Sequence, residues 1–588
     1  MAITLSGKDS ATEYEWKLNP AYVPPHIKNL PEKQGFSLAK ILRFQWIVVK
    51  GILGVALVEF FLFFKLVREG KIKFQRTADL GLAEGLKLLN KWNKIEDIDD
   101  FFQPWTSFEK PKVANNWTTD AEFGRERIYG INPAFIRKCK AEDLRSDGNF
   151  PVTDDAIISG LLPQGSSLAT ELANNRLYIM DYKILADIIT NELEDQLGKY
   201  PLAPLCLLHV NQKDQLIPLA IRLQQGNSFH DLNKNPIFTH QSSPENWLTA
   251  KMAVSSADIA YQGIVSHLMD THLIIETFAV ASYRQLSPQH IVLQILQSHF
   301  FNTFAINEMA RGIFLGHEGF FDVTGALGFT GSNELLRRAY TGTSKNYQGE
   351  PHIFYRRALP IALAARDVAD LPNYYYRDDA ITIWDAIQTY VTDILRLYYK
   401  SKEDLVNDAE LQAWKNELVS PDFGRIQGLL SPEKSAQITG SLTELNDLIA
   451  IITNVIFTAT AQHSAVNFSQ YEYASWVPNM PFAIYQPFND LLENQQSTVN
   501  LVDRLPNRLQ SFKQIVLVKA LSMPVPFSSE SLLTMANPFK DEAARKVFQD
   551  FQKVRLRKIE EQIIQRNASL EYPYVRLLPS QIAQSIAI

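Results

Sequence analysis

The 588-residue chain has only two cysteines, Cys139 and Cys206, and a small excess of acidic residues. Two cysteines cannot build the disulfide framework of a small secreted protein, and they lack the spacing of a zinc finger. The formal charge of −6 argues against a basic surface for nucleic acid. The first 16 residues contain no long apolar run, so they do not resemble a secretory signal. We therefore expect a cytoplasmic protein that binds no nucleic acid.

Motifs of several enzyme classes are also absent from the sequence. No Gly-x-Ser-x-Gly segment marks the nucleophile of a hydrolase. The glycine-rich stretch at 325–331 lacks the Lys-Ser or Lys-Thr pair of a phosphate-binding loop. His267 and His272 are five residues apart, whereas a zinc protease has histidines four apart with glutamate after the first. These absences leave the histidines as the main candidates for chemistry.

The length suggests three or four domains of roughly 150 residues each, but the residue pattern predicts one large, mainly α-helical unit. Residues 401–445 are polar and predict a surface excursion. Short aliphatic runs predict a small antiparallel sheet, with strands at 177–180, 204–210 and 216–223. Apolar helical patterns occur at 254–282, 288–315, 379–400 and 440–470.

An apolar run at 51–64, interrupted only by Glu59, is unusual for a soluble chain. It is shorter than the roughly 20 residues that a membrane-spanning helix needs. Ser37 and Gly70 predict the ends of a longer helix, and residues 38–80 contain eight basic and three acidic residues. An apolar helix with basic flanks can lie shallowly in a membrane surface, so residues 38–70 predict peripheral membrane contact. A buried core helix is the alternative.

Two histidines of one apolar stretch, His267 and His272, are candidate metal ligands. On a regular α-helix, residues five apart point about 140° away from each other. They share a face only if the turn widens to the π type, which often occurs at functional sites. Two unrelated core histidines are the alternative interpretation.

A second polar stripe, with His463, Asn467 and Gln470, lies on one face of a strongly apolar helix. Buried polar groups need partners, so the stripe predicts either a hydrogen-bond network or a metal site. Three imidazoles and an amide oxygen suit iron or manganese. The missing anionic ligand could be the carboxylate of Ile588, because residues 579–588 are uncharged and the tail looks docked.

Together, these segments resemble the lipoxygenase family of non-haem iron dioxygenases, and the resemblance covers residues 15–588. The segments that carry it are Trp247-Leu-Thr-Ala-Lys251, His267-Leu-Met-Asp-Thr-His272, Tyr283-Arg-Gln-Leu286, Tyr374-Tyr-Tyr-Arg-Asp-Asp379, Thr458-Ala-Thr-Ala-Gln-His463-Ser-Ala-Val-Asn467-Phe-Ser-Gln470 and the terminal Ile588. The resemblance implies one mainly α catalytic domain, built on long central helices with a small antiparallel β patch. Residues 1–80 would be a lead-in joined to a catalytic domain at 81–588, without the N-terminal PLAT β-sandwich.

The resemblance also implies a role for each candidate residue. One non-haem iron, with manganese as the other candidate, would be bound by His267, His272, His463, Asn467 and the Ile588 carboxylate. Gln470 would connect the ligands to the substrate cavity. A fatty-acid channel would be lined by Leu268, Leu273 and Phe314, with Thr324 or Gly325 at its bend. Gly325 there would favour an R product.

The implied reaction is the regio- and stereospecific dioxygenation of polyunsaturated fatty acids, such as linoleate or arachidonate, to hydroperoxides. Hydrogen abstraction by a metal(III) hydroxide would precede addition of dioxygen. The alternatives are a hydroperoxide isomerase on the same fold and a metal-free lipid-binding protein. One departure from the family is Gly263, with Gln262 beside it, where many members carry glutamine four residues before the first histidine. We expect a monomer.

Overall fold

The computed structural model describes residues 13–18, 23–36, 50, 90–145, 150–188, 198–226, 235–431, 441–488, 499–523 and 531–586. The predicted membrane-contacting helix, the domain boundary near residue 80 and Ile588 lie outside the described residues. Within the described part, one apolar cluster contains buried residues from Tyr14 to Ile586. The predicted single helical unit therefore has one main core, and a smaller cluster contains strand residues such as Leu177 and Leu207.

Most described elements are helical. The α-helices are Asp120–Tyr129, Leu168–Ala173, Pro244–Tyr261, Ile274–Gln285, Ile291–Leu296, Thr303–Met309, Phe320–Thr324, Gly328–Thr341, Leu359–Arg366, Tyr375–Tyr398, Lys402–Val406, Ala409–Val419, Leu445–Phe457, His463–Asn467, Gln470–Ala474, Leu501–Arg504, Arg508–Leu521, Glu542–Asp550 and Arg557–Asn567. The π segments are Gln262–Leu273, Ala310–Phe314, Thr458–Gln462 and Phe551–Leu556. Short 3₁₀ turns are Glu32–Gln34, Ile95–Phe102, Lys112–Asn115, Ala141–Leu144, Asp154–Ala156, Lys183–Leu185, Gln297–Phe300 and Phe354–Arg357.

The predicted antiparallel sheet is present and has five strands. In spatial order they are Arg137–Lys138, Leu177–Asp181, Leu205–Val210, Leu216–Arg222 and Ile237–Thr239. Every neighbouring pair is antiparallel. The three central strands are buried almost throughout. Two small strand pairs lie elsewhere, Trp16–Lys17 with His26–Ile27 and Thr343–Ser344 with Tyr347–Gln348.

Two composite helices form the centre of the molecule. The first histidine helix runs from Pro244 to Gln285, and the second histidine helix runs from Leu445 to Asn467. Ser243 caps the first one, since its hydroxyl oxygen accepts the Asn246 N–H at 3.2 Å. Pro244 fills the first helical position, where its missing N–H costs nothing.

These two helices are long and apolar enough to cross a membrane by length and composition alone. However, 94% of the most apolar window of the first and 89% of that of the second are buried inside the protein. Both helices are thus enclosed by the rest of the protein, as expected for the core of a large protein.

The predicted surface excursion at 401–445 is wrong for the helix Ala409–Val419. This helix packs on the first histidine helix, where the Trp414 indole N–H donates to the Ser282 hydroxyl at 2.9 Å. Leu411, Trp414 and Leu418 are fully buried. The segment is polar on average, but the apolar residues of this helix recur every three or four positions and form one buried face.

A buried ionic network joins the helix Asp120–Tyr129 to the first histidine helix. The Arg127 guanidinium contacts the Asp258 carboxylate at 2.7 Å and the Glu126 carboxylate at 2.8 Å. The Asn132 amide donates to the other oxygen of Asp258 at 2.9 Å. Arg127 and Asp258 have almost no solvent exposure.

We expect Arg127→Met to lower the free energy of unfolding by about 3–5 kcal/mol, because a buried carboxylate would lose its cation. The thermal midpoint from calorimetry measures this change. Lys546→Met is the matched control, since Lys546 and its partner Glu542 are mostly exposed and 3.8 Å apart. Equal midpoints for the two variants would contradict a stabilising role of the Arg127 network.

Candidate metal centre

The segment Gln262–Leu273 is a π-helix, and it places His267 and His272 on one face. Their Nε2 atoms lie 3.2 Å apart, although five residues separate them. Both rings are buried. The widened turn required for these two histidines to meet is therefore present.

His463 reaches the same point from the second histidine helix, directly after the π segment Thr458–Gln462. Its Nε2 atom lies 3.3 Å from that of His267 and 3.2 Å from that of His272. Three nitrogen ligands about 2.1 Å from one ion have nearly this spacing when they are about 100° apart. The triangle of nitrogens thus matches the ligand spacing around a single first-row metal ion.

The electrostatics of the centre favour a cation. Burial, with the neighbouring His272, holds the pKa of His267 well below its usual range. Burial also lowers the pKa of His272 to about 4, against a hydrogen bond to Asn307 that raises it. When the imidazoles are neutral and their Nε2 atoms converge, the nitrogen lone pairs face one another, which is unfavourable unless a cation lies between them. A borderline cation such as iron or manganese would satisfy them.

Asn467 and Gln470 form a buried hydrogen-bonded pair one turn beyond His463. The Gln470 Nε2 group donates to the Asn467 Oδ1 atom at 2.8 Å. The Asn467 amide nitrogen donates to the Leu521 carbonyl at 2.9 Å, which fixes the orientation of the amide. The Asn467 oxygen keeps a second lone pair, so its predicted role as a ligand remains compatible with this geometry.

The described end of the C-terminal tail lies beside His463. The Ala583 N–H donates to the Ser464 hydroxyl at 3.1 Å, one residue after His463. The Gln584 carbonyl accepts the His299 Nδ1–H at 2.8 Å, and Ile586 is fully buried. The predicted ligand Ile588 lies beyond the described residues.

A small apolar cavity of about 30 Å³ adjoins His267 and His272, and the predicted channel residues Leu268 and Phe314 line it. A second cavity, also of about 30 Å³, shares Phe321 with the first and is lined by the predicted channel residue Gly325.

The two other predicted channel residues, Leu273 and Thr324, are buried but line neither cavity. At Gly325 a Cβ atom would lie 2.8 Å from the Phe321 carbonyl oxygen, so a larger residue would force the backbone to move.

Sequence patterns gave no indication of Asn307, whose Oδ1 atom lies 2.8 Å from the His272 Nδ1 atom. Asn307 is 35 residues from His272 in the chain, and no spacing rule connects them. The structure also shows what surrounds the departure at Gly263. The neighbouring Gln262 side chain donates to the Val466 carbonyl at 2.7 Å and thereby ties the two histidine helices together.

Comparison with known proteins gives relatives of defined activity. The allene oxide synthase-lipoxygenase protein of Plexaura homomalla is 29% identical over 87% of this chain and 48% of that protein. The human hydroperoxide isomerase ALOXE3 is 32% identical over 84% of this chain and 66% of that protein. The rat 12R-type arachidonate 12-lipoxygenase is 32% identical over 88% of this chain and 70% of that protein. The chain thus spans about half the coral protein and about two thirds of the mammalian ones.

The fold comparison agrees with the sequence comparison. A lipoxygenase crystallised anaerobically with arachidonate superposes with a TM-score of 0.82 at 26% identity, over 99% of this chain and 80% of that chain. The sequence profile described as Lipoxygenase matches residues 8–576, which is nearly the whole chain. The chain therefore belongs to the lipoxygenase family.

Proposed function

We propose that the protein is a fatty-acid dioxygenase, which adds dioxygen to a polyunsaturated fatty acid and forms its hydroperoxide. The observation that carries the proposal is the triangle of buried imidazoles at the wall of an apolar cavity. The apolar lining of the cavity indicates the substrate class, because a pocket with few polar groups suits an acyl chain. The named activities of the relatives support the same reaction.

The centre would bind one iron ion through the Nε2 atoms of His267, His272 and His463, with Asn467 as a further oxygen donor. Manganese is the other candidate, because the donor set suits both. When bound, the ion supplies the one-electron redox chemistry that removes a hydrogen from the methylene between two double bonds. Leu268, Phe314 and the other apolar walls hold the acyl chain and exclude water.

We infer an R configuration for the product, because Gly325 lines the second cavity and the family resemblance links a glycine at this bend with R products. A different activity is the isomerisation of a hydroperoxide that is already formed. The human relative named hydroperoxide isomerase is as similar in sequence as the rat lipoxygenase, which favours this as the second candidate.

We expect purified protein to contain about one iron per chain and to consume dioxygen with linoleate or arachidonate, forming a conjugated diene. His463→Ala should lose both the metal and the activity, because one corner of the triangle is missing. His209→Gln is the control, since His209 is also buried but lies in the sheet, where it binds Glu171 of the helix Leu168–Ala173. Metal analysis, an oxygen electrode and chiral chromatography of the product make the measurements.

If the protein consumes a preformed hydroperoxide but takes up no dioxygen, its activity is isomerisation and the proposed dioxygenation is wrong. Protein that folds without iron or manganese and still binds fatty acid would instead be a lipid carrier.

We also propose that the Ile588 carboxylate is the anionic metal ligand. The preceding residues support this, since the tail bonds to Ser464 and Gln584 binds His299. An extension of three glycines after Ile588 should lower the metal content and activity to near background, because an internal carbonyl would replace the carboxylate. The same extension before Met1 is the control, and full metal content in the C-terminal variant would exclude this ligand.

We propose that the protein is cytoplasmic and touches membranes through residues 38–70. The support is the sequence itself, in which the apolar run at 51–64 lies between Lys50 and Lys65 and the wider segment is rich in basic residues. Reversing Lys65, Arg68 and Lys71 to glutamate should abolish flotation with phosphatidylserine vesicles, because attraction to anionic headgroups would become repulsion.

The matched control reverses three exposed lysines on the C-terminal helices, Lys546, Lys553 and Lys558. This control should float as the wild type does. Undiminished flotation of the first variant would show that residues 38–70 do not contact the membrane.

A further inference from the structure

A single asparagine, Asn307, contacts both the backbone of His272 and the Nδ1 side of its ring, opposite the metal centre. The Asn307 Oδ1 atom lies 2.8 Å from the His272 Nδ1 atom, and the Asn307 Nδ2 group donates to the His272 carbonyl at 2.9 Å. Asn307 is fully buried on the neighbouring helix Thr303–Met309. One side chain therefore fixes the ring and the main chain of the same histidine.

The direction of these bonds is set by Glu276, one helical turn after His272. The second hydrogen of the Asn307 Nδ2 group donates to the Glu276 Oε2 atom at 2.7 Å. Because both amide hydrogens are used, the oxygen of Asn307 must face the ring, and it can only accept. The proton of His272 is therefore on Nδ1, and its Nε2 lone pair points at the other two histidines.

Glu276 is in turn surrounded by donors. The Arg311 guanidinium donates to its two oxygens at 2.8 and 3.1 Å, and the backbone N–H of Ile27 donates at 3.3 Å. With Asn307 this makes four donors around a carboxylate that has about four lone-pair positions. Glu276 is fully buried, so this arrangement leaves it no freedom to turn.

We propose that Asn307, Glu276 and Arg311 act as positioning residues, a relay that holds His272 in its Nδ1–H tautomer and so sets the metal affinity of the three-histidine centre. The proposal rests on the proposed metal site and assigns residues that support it. Partners of this kind typically change metal affinity by about 10–100-fold when they are removed.

The relay also connects the centre to two other parts of the molecule. Arg311 belongs to the π segment Ala310–Phe314, whose Ala310 and Phe314 line the cavity beside the imidazoles. Ile27 belongs to the N-terminal strand pair, where the Pro25 carbonyl accepts the Thr277 hydroxyl at 3.1 Å. The cavity wall and the N-terminal segment are thus fastened to the same buried carboxylate.

The test compares Glu276→Gln with Glu308→Gln. Glu308 binds the same Arg311 at 3.1 Å, but its side chain is more than half exposed and makes no hydrogen bond to Asn307 or His272 in the described structure. A glutamine at 276 keeps one accepting oxygen for four donors. We expect the dissociation constant for iron(II), measured under argon by competition with a chromophoric chelator, to rise about 10–100-fold for Glu276→Gln. Glu308→Gln should stay within twofold of the wild type.

The electron paramagnetic resonance spectrum of bound iron(III) gives a second readout. Its shape should change in Glu276→Gln and Asn307→Leu and remain that of the wild type in Glu308→Gln. If Glu276→Gln fails to fold, Arg311→Met decides, since Arg311 is partly exposed and its loss should weaken iron binding in the same direction.

If the folded relay variants bind iron with wild-type affinity and give wild-type spectra, the relay proposal is wrong, but the proposed function is unaffected. Wild-type protein that binds no iron would overturn both.

Discussion

The widened helical turn between Gln262 and Leu273 is the constraint on which the metal centre depends. A regular α-helix would send His267 and His272 to different faces, and no packing of neighbouring helices could bring their Nε2 atoms to 3.2 Å. A π turn is poorer than an α turn as an isolated element, so surrounding contacts must hold it. Gln262 bonds to the second histidine helix, and Asn307 bonds to the His272 carbonyl. The widened turn and the side chains that hold it form one unit.

Burial produces the second constraint. The two histidine helices are apolar enough to resemble membrane spans, yet they carry polar side chains inside the core. An unpaired polar group in such surroundings is costly, so the interior contains bonded sets: Gln470 with Asn467, Asn307 with Glu276, and Arg127 with Asp258. The first two sets adjoin the histidines, since Asn467 is one turn after His463 and Asn307 bonds to His272, beside a cavity that is lined mainly by apolar residues. An apolar cavity beside an oriented donor set suits the proposed reaction on a lipid.

Much of this organisation follows from local sequence patterns. The helical periodicities, the three central strands and the Ser243 cap depend on residues close together in the chain, and the structure has them. The prediction for 401–445 is wrong because a polar composition conceals the apolar periodicity of the helix Ala409–Val419, whose Trp414 is in the core. Asn307 and Arg311 could not be found from sequence, since polar residues on an ordinary amphipathic helix carry no sign of the distant group that they bind.

The sequence by itself determined the chemistry of the centre: three imidazoles, an amide and two apolar helices, in an order typical of lipoxygenases. The sequence also determined that His267 and His272 can bind the same metal ion only if the helix between them has a π turn. Tertiary structure decided the rest, because the deciding contacts join distant residues. His267 and His463 are 196 positions apart, and only helix packing brings their nitrogens to 3.3 Å. The tautomer of His272 and the position of Gly325 at a second cavity likewise depend on neighbours from other helices, which no local pattern encodes.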